Sequence, residues 1–214
     1  MTLLFENTSK RRAIFVALLF TLAALTLTAS NVALSKGVYQ TGPDFIAETF
    51  GSTTPQSKSL WLTPQLKNTA KDIMDRRIRG IRVRYWQHED KTAWIMEEIG
   101  KELPITIGVV IVKGRVKQLK ILAFRESRGW EVRYPAFTAQ YQNVRITPDY
   151  KLDQYIDGIT GATLSVRAVT KVVKLALFYH QQITQPNTNQ VDKNQAHKPP
   201  NKQKESLHVA PQSP

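Results

Sequence analysis

The sequence predicts an α+β domain. Two strand pairs, each joined by a short turn, and two amphipathic helical stretches that bracket them lead to that expectation. The pairs are Ile81–Trp86 with Thr92–Ile95 and Ile105–Val112 with Val116–Phe124; the helices run from Thr63 to about Ile78 and from Leu164 to about Gln182. Strands that follow one another through short turns pair antiparallel.

In chain order, Lys10-Arg11-Arg12 precede an apolar run from Ala13 to Ala29, broken only by Thr21, Thr26 and Thr28. A basic start before such a run is an export signal, either a cleaved peptide or an uncleaved anchor, occupying residues 1–35. Ala33-Leu34-Ser35 offers a weak small-x-small cleavage site. In both cases the basic flank stays inside, which places the rest of the chain outside the cytoplasm, in the periplasm or anchored to the inner membrane.

Residues 36–62 mix Ser, Thr, Gly and Pro and read as an extended lead-in. The domain is expected over 63–183. Thr63-Pro64 is an N-cap followed by proline at the first helical position, and Leu66, Ala70, Ile73 and Met74 recur at helical spacing, with Gly80 as the stop. Ile81-Arg82-Val83-Arg84-Tyr85-Trp86 alternates apolar and polar side chains as a strand, and His88-Glu89-Asp90 turns it into the next. The β-branched run from Ile105 to Val112 suits a strand buried on both faces. Lys113-Gly114 turns it, and the return strand should put Leu119, Ile121 and Ala123 on one face, with Lys117 and Lys120 on or near the other. Pro135 to Tyr141 reads as a short helix with Phe137 and Tyr141 on one side, and Tyr150 to Ile156 leads into the loop discussed below. The last helix carries Val166, Val169, Val173 and Ala176 on one stripe, with Val172, Leu175 and Tyr179 beside it. Residues 184–214, rich in Gln, Asn, Pro and Lys, cannot bury enough apolar surface to offset their ordering entropy and are expected to be a disordered tail.

Composition removes several chemistries. The 214 residues include no cysteine, which excludes a cysteine nucleophile, a thiolate zinc site, an iron–sulfur cluster and haem attached through C-x-x-C-H. His88, His180, His197 and His208 lack metal-ligand spacing. The formal charge of +13 has no nucleic-acid reader module beside it, so it points to an anionic lipid surface, a phosphorylated cofactor or an acidic redox partner. Arg76, Arg77, Arg79, Arg82 and Arg84 form the densest basic run, a solvated surface or a dock for such a partner. No G-x-G-x-x-G follows a strand, so the chain is not expected to oxidise NAD(P)H itself.

The candidate site is Asp157-Gly158-Ile159-Thr160-Gly161-Ala162-Thr163 at the mouth of the last helix. Gly161 frees the backbone to bend, Ala162 keeps the turn uncrowded, and Thr163 presents a hydroxyl where a helix offers unpaired N–H groups. The helix dipole favours a phosphate there by about 0.3–1 kcal/mol. The stretch resembles D-x-x-[S/T]-G-A-T, the acceptor signature of FMN-binding domains flavinylated through a phosphoester. These include the C subunit of sodium-pumping NADH:quinone oxidoreductase and the G subunit of Rnf complexes. Three further segments carry the resemblance, which spans roughly residues 80–180. Pro104 to Val110 with Gly114 looks like the family's central hairpin, and Phe124-Arg125-Glu126-Ser127-Arg128-Gly129-Trp130 like its flavin-side segment, often E-T-P-G elsewhere. Pro135-x-Phe137 with Gln140-Tyr141 resembles its F-x-x-Q-F element.

The resemblance implies a twisted antiparallel sheet with helices packed on one side. It also implies FMN held covalently on Thr163, attached by a separate flavin transferase that uses FAD, with Asp157, Thr160, Gly161, Ala162 and Leu164 around it. Glu126, Ser127, Arg128 and Gly129 would face the ring, which needs hydrogen-bond partners on its pyrimidine edge and a donor or cation near N1. Trp130 is expected either to stack on the ring or to pack in the interior. The function implied is extracytoplasmic electron transfer with a membrane redox partner protein. The alternatives are a flavin-dependent reductase of a small acceptor and a non-redox assembly subunit with a vestigial acceptor loop.

Overall fold

The computed structural model describes residues 37–185, so the apolar run and the polar tail lie outside the described residues. The sheet has five antiparallel strands in sequential order: β1 (Ser57–Trp61), β2 (Arg82–His88), β3 (Lys91–Ile99), β4 (Pro104–Val112) and β5 (Arg115–Phe124). Four α-helices accompany it: α1 (Gly42–Phe50), α2 (Pro64–Met74), the single turn α3 (Pro135–Thr138) and the long α4 (Thr163–Thr184). The α+β class and the expected strands are as read from the sequence.

Alternation decides the layers. In β4, Ile105, Ile107, Val109 and Ile111 enter one core with Val169, Val172, Val173 and Ala176 of α4 and with Leu66, Ala70 and Ile73 of α2. The opposite face of the same strand carries Gly108 and Val110, and there Phe45, Ile46 and Phe50 of α1 pack with Ala93, Val110 and Leu122. A Cβ on Gly108 would lie 2.6 Å from Phe45 Cζ, so the absent side chain is what lets the Phe45 ring sit on the sheet. β4 is therefore buried on both faces, as its unbroken β-branched run predicts.

α1 and β1 correct the reading of residues 36–62 as an extended lead-in, and α1, on the face opposite α2 and α4, corrects the expectation of helices on one side only. The signals were Thr41, whose Oγ1 accepts the Asp44 N–H at 3.2 Å, a proline in the first turn and an acidic residue beside it. Their Ser/Thr/Gly/Pro-rich setting hid them. α2 begins as expected, with Thr63 Oγ1 accepting the Leu66 N–H at 3.3 Å. It ends at Met74 rather than near Ile78, because Asp75 takes a left-handed conformation (φ 52°) and breaks the ladder before Gly80 is reached.

The β4–β5 turn falls where its sequence puts it, while in the β2–β3 turn Glu89 and Asp90 suffice and His88, expected within it, ends β2 opposite Lys91. Lys113 and Gly114 both have positive φ (51° and 74°), the twist that a two-residue hairpin requires. A register shift between Thr106 and Ile107 corrects one detail of β5. Leu119 and Ile121 face the α4 side, but Ala123 pairs with Thr106, and it is Phe124 that returns to that core. The outer edge of β5 is covered by the incoming chain, through Tyr39 N–H to Leu122 O (2.8 Å) and Phe124 N–H to Gly37 O (2.7 Å). β1, at the other edge, is largely exposed.

Candidate functional site

The loop before α4 folds as its residues dictate. Ile159 to Ala162 form a β-turn closed by Ala162 N–H to Ile159 O at 2.9 Å, with Gly161 at the third position and φ 81°. That positive φ costs glycine little and any other residue more. α4 then starts at Thr163 with Ala162 as N-cap, and no side chain caps it. Val166 N–H makes the first intrahelical bond, to Ala162 O at 3.0 Å. The N–H groups of Thr163, Leu164 and Ser165 therefore have no acceptor within the helix. Thr160, Gly161, Thr163 and Leu164 are exposed, while Ala162 and Ser165 are buried beneath them.

A second segment is built against the first. Gly129, with φ 86°, is packed so tightly on the loop that a Cβ there would lie 2.6 Å from Ser165 Oγ and 3.4 Å from the Ala162 Cβ. The fold thus brings together two motifs more than thirty residues apart in sequence. Within this segment Ser127 and Arg128 are exposed, and Glu126 is half-buried with its carboxylate already engaged. Glu126 Oε1 accepts the N–H groups of Lys101, Glu102 and Leu103 at 2.6, 2.7 and 2.9 Å. Burial alone would raise its pKa, but those three donors outweigh the desolvation and hold the carboxyl below its ordinary value. Glu126 thereby fastens the β3–β4 turn to the start of this segment. Trp130 is 39% exposed, with its ring edge-to-face with Tyr134 at 5.1 Å, so the interior-packing expectation for it is overturned.

Gln140, not among the residues expected around the flavin, is a tether of the acceptor loop. Its Oε1 accepts the Asp157 N–H at 2.7 Å, and its own carbonyl accepts from Gln154 Nε2 at 2.9 Å. The neighbouring Tyr141 is fully buried, edge-to-face with Phe137 at 5.5 Å, and its hydroxyl bonds Thr170 Oγ1 at 2.8 Å. Burial pushes that phenol up to about 12, with the Thr170 bond opposing, so it stays protonated. The Gln140-Tyr141 pair therefore holds the acceptor loop with one side chain and α4 with the next. Its spacing in the F-x-x-Q-F-like element was the signal available; no sequence signal marked the contact between Gly129 and Ser165.

The other candidates fall elsewhere. Arg76 forks onto Glu98 at 2.6 and 2.9 Å, a carboxylate 8% exposed, while Arg82 and Arg84 sit on β2 above a groove shared with α1. His180 is buried and bonded within the core, and no three metal-ligating side chains cluster among the described residues. Tyr85 and Trp94 are core aromatics, stacked at 5.0 Å, and Trp86 is half-buried against the α1 side.

An exposed hydroxyl on an uncapped first turn, with free N–H donors and the positive end of a 22-residue helix behind it, fits a phosphate ester. Residues 100–177, from the β3–β4 turn into α4, match the family model of the FMN-binding domain. No curated protein matches the chain. Over those residues the chain is similar to the FMN-binding domain family, which supports a flavin-binding protein.

Proposed function

We propose that this protein is an extracytoplasmic electron-transfer flavoprotein that carries FMN through a phosphoester to Thr163 and relays electrons between membrane or periplasmic redox partners. One observation carries the reading: within the matched FMN-binding region, Thr163 is the exposed hydroxyl at the uncapped start of α4, beyond a glycine turn and beside Gly129. In the attachment, the Thr163 Oγ attacks the FMN-side phosphorus of FAD held by a transferase. The P–O bond to AMP breaks, AMP leaves, and the hydroxyl proton passes to the transferase or to water. The N–H groups of Thr163, Leu164 and Ser165 offer donors to the phosphate oxygens, and Gln140 fixes the loop by its bond to the Asp157 N–H. Arg128, exposed one residue before Gly129, is the cation available to the reduced ring.

When bound, the flavin supplies the capacity to accept two electrons and release them singly, which suits a relay between unlike partners. Covalent attachment suits a compartment where free cofactor is dilute, since even a micromolar complex, worth ~8 kcal/mol, empties on dilution. The apolar run Ala13–Ala29 behind Lys10-Arg11-Arg12 supports the membrane side of the reading.

Co-expression with a flavin transferase tests it. The intact mass should rise by one FMN less water, and the denatured protein should fluoresce in a gel. Thr163→Ala should abolish both while leaving the melting temperature unchanged, because the side chain is exposed and caps nothing. Flavin retained by Thr163→Ala after denaturation would end the assignment.

A further inference from the structure

Beside the acceptor loop lies an exposed aromatic surface gathered around one cation. The Arg133 guanidinium is 4.7 Å from the Tyr39 ring centroid, 5.3 Å from Trp130 and 5.6 Å from Tyr134. The three rings remain 41%, 39% and 41% exposed. A cleft of about 470 Å³ runs on from Tyr39 and Arg133 past Gln118, Lys120 and Gln142. Rings with a polar end grouped around a cation are the side chains that settle at a water–lipid boundary, the rings at headgroup level and the arginine reaching phosphate.

The course of the chain selects a bilayer as the occupant. Gly37 to Gln40 are pinned along the outer edge of β5, so the polypeptide enters the domain at this patch. A Cβ on Gly37 would collide with Phe124 O, so the backbone is pinned tightly against β5. Only residues 30–36 separate Gly37 from the apolar run, a span of at most ~25 Å when fully extended. The charge of the chain, +13, favours an anionic surface.

We propose that Tyr39, Trp130, Arg133 and Tyr134 form a face that rests on an anionic bilayer. Trp130 follows Gly129, which packs on Ala162 and Ser165, so this face holds the acceptor loop at the membrane surface. The inference deepens the proposed function and rests on its membrane-associated reading.

Two measurements separate this face from the anchor. The full chain is reconstituted into vesicles of phosphatidylcholine with phosphatidylglycerol, and flotation after an alkaline wash reports the anchor alone. Quenching of tryptophan fluorescence by brominated lipid reports the face. Trp130→Phe should remove most of the lipid-dependent quenching, whereas Trp61→Phe, 53% exposed on the far edge strand, should remove almost none. Arg133→Gln should reduce the population in contact with anionic vesicles roughly fivefold, the weight of one basic residue at such a surface. In vesicles of phosphatidylcholine alone it should have little effect. Quenching unchanged by Trp130→Phe in a chain that floats would overturn the proposal and leave the patch to a protein partner. Loss of flotation with Trp130-dependent quenching intact would remove the anchor and uphold the face.

Discussion

At Gly129 the place of a side chain is already taken, and the backbone is left-handed as well. Gly129→Ala combines a contact of 2.6 Å with Ser165 Oγ and a φ of 86°, which should cost about 1–3 kcal/mol. Because the strain falls on the first turn of α4, flavin loading should drop together with the melting temperature. Adding Ser165→Ala removes the contacting oxygen and leaves the backbone strain and the tight approaches of 3.3 and 3.4 Å to the Cβ atoms of residues 165 and 162, so the double variant should recover part of both. A single variant indistinguishable from the parent in thermal melts and intact mass would show that the two segments are not in contact. Gln140→Ala is subtler. It removes one bond to the Asp157 N–H, worth about 1 kcal/mol, and should slow modification of Thr163 more than it lowers stability. A time course of mass gain with purified transferase would show this.

At the scale of elements, His180 joins three of them from inside the core. Gly114 N–H, in the β4–β5 turn, donates to its Nε2 at 3.1 Å, which leaves Nδ1 to carry the proton toward Thr92 Oγ1 at 2.8 Å. The same oxygen accepts from Trp94 Nε1 at 3.0 Å. Burial lowers the His180 pKa from its ordinary 6.5 to about 4, with the Asp90 charge opposing. A depressed histidine pKa means that the native state favours the neutral ring. The contribution is complete above the unfolded value and is lost as pH falls from about 6.5 through about 4. The ceiling is roughly 3 kcal/mol, given ~1.4 kcal/mol per unit. Urea unfolding across that range should show the decline, and His180→Gln should flatten it at the expense of stability near neutrality. A parent curve with no slope there would mean that the imidazole is not neutral in the fold.

For the whole molecule, the described fold closes at α4, whose last core residues are Phe178, Tyr179 and His180. Cutting after Gln185 is expected to leave flavin content and melting temperature unchanged; a fall of more than a few degrees would show that residues 186–214 pack on the domain. The absence of a dinucleotide fingerprint leads to a functional expectation. Flavinylated protein mixed with NADH should stay oxidised, while dithionite bleaches it at once. Rapid bleaching by NADH alone would make the protein an enzyme rather than a carrier, and one small acceptor preferred by orders of magnitude would do the same.

Much of this was legible in the chain because it depends on near neighbours. The Thr63-Pro64 start, the Lys113-Gly114 turn, the doubly buried β4 and the glycine turn before Thr163 are each settled by steric and hydrogen-bonding preferences within a few residues. The matched family, too, was readable from the acceptor loop and the three segments before it. Tertiary structure decided what depends on distant partners. It turned the Glu126 carboxylate onto the amides of Lys101 to Leu103, set Gly129 against Ser165, and gave Gln140 the Asp157 N–H to hold. It placed α1 on the second face of the sheet, where the bare backbone of Gly108 receives Phe45. It also left Trp130 at the surface with Tyr39, Tyr134 and Arg133. Periodicity and capping report the conformation of a segment; which segments share a surface is fixed only when the core closes and each buried donor has found its acceptor.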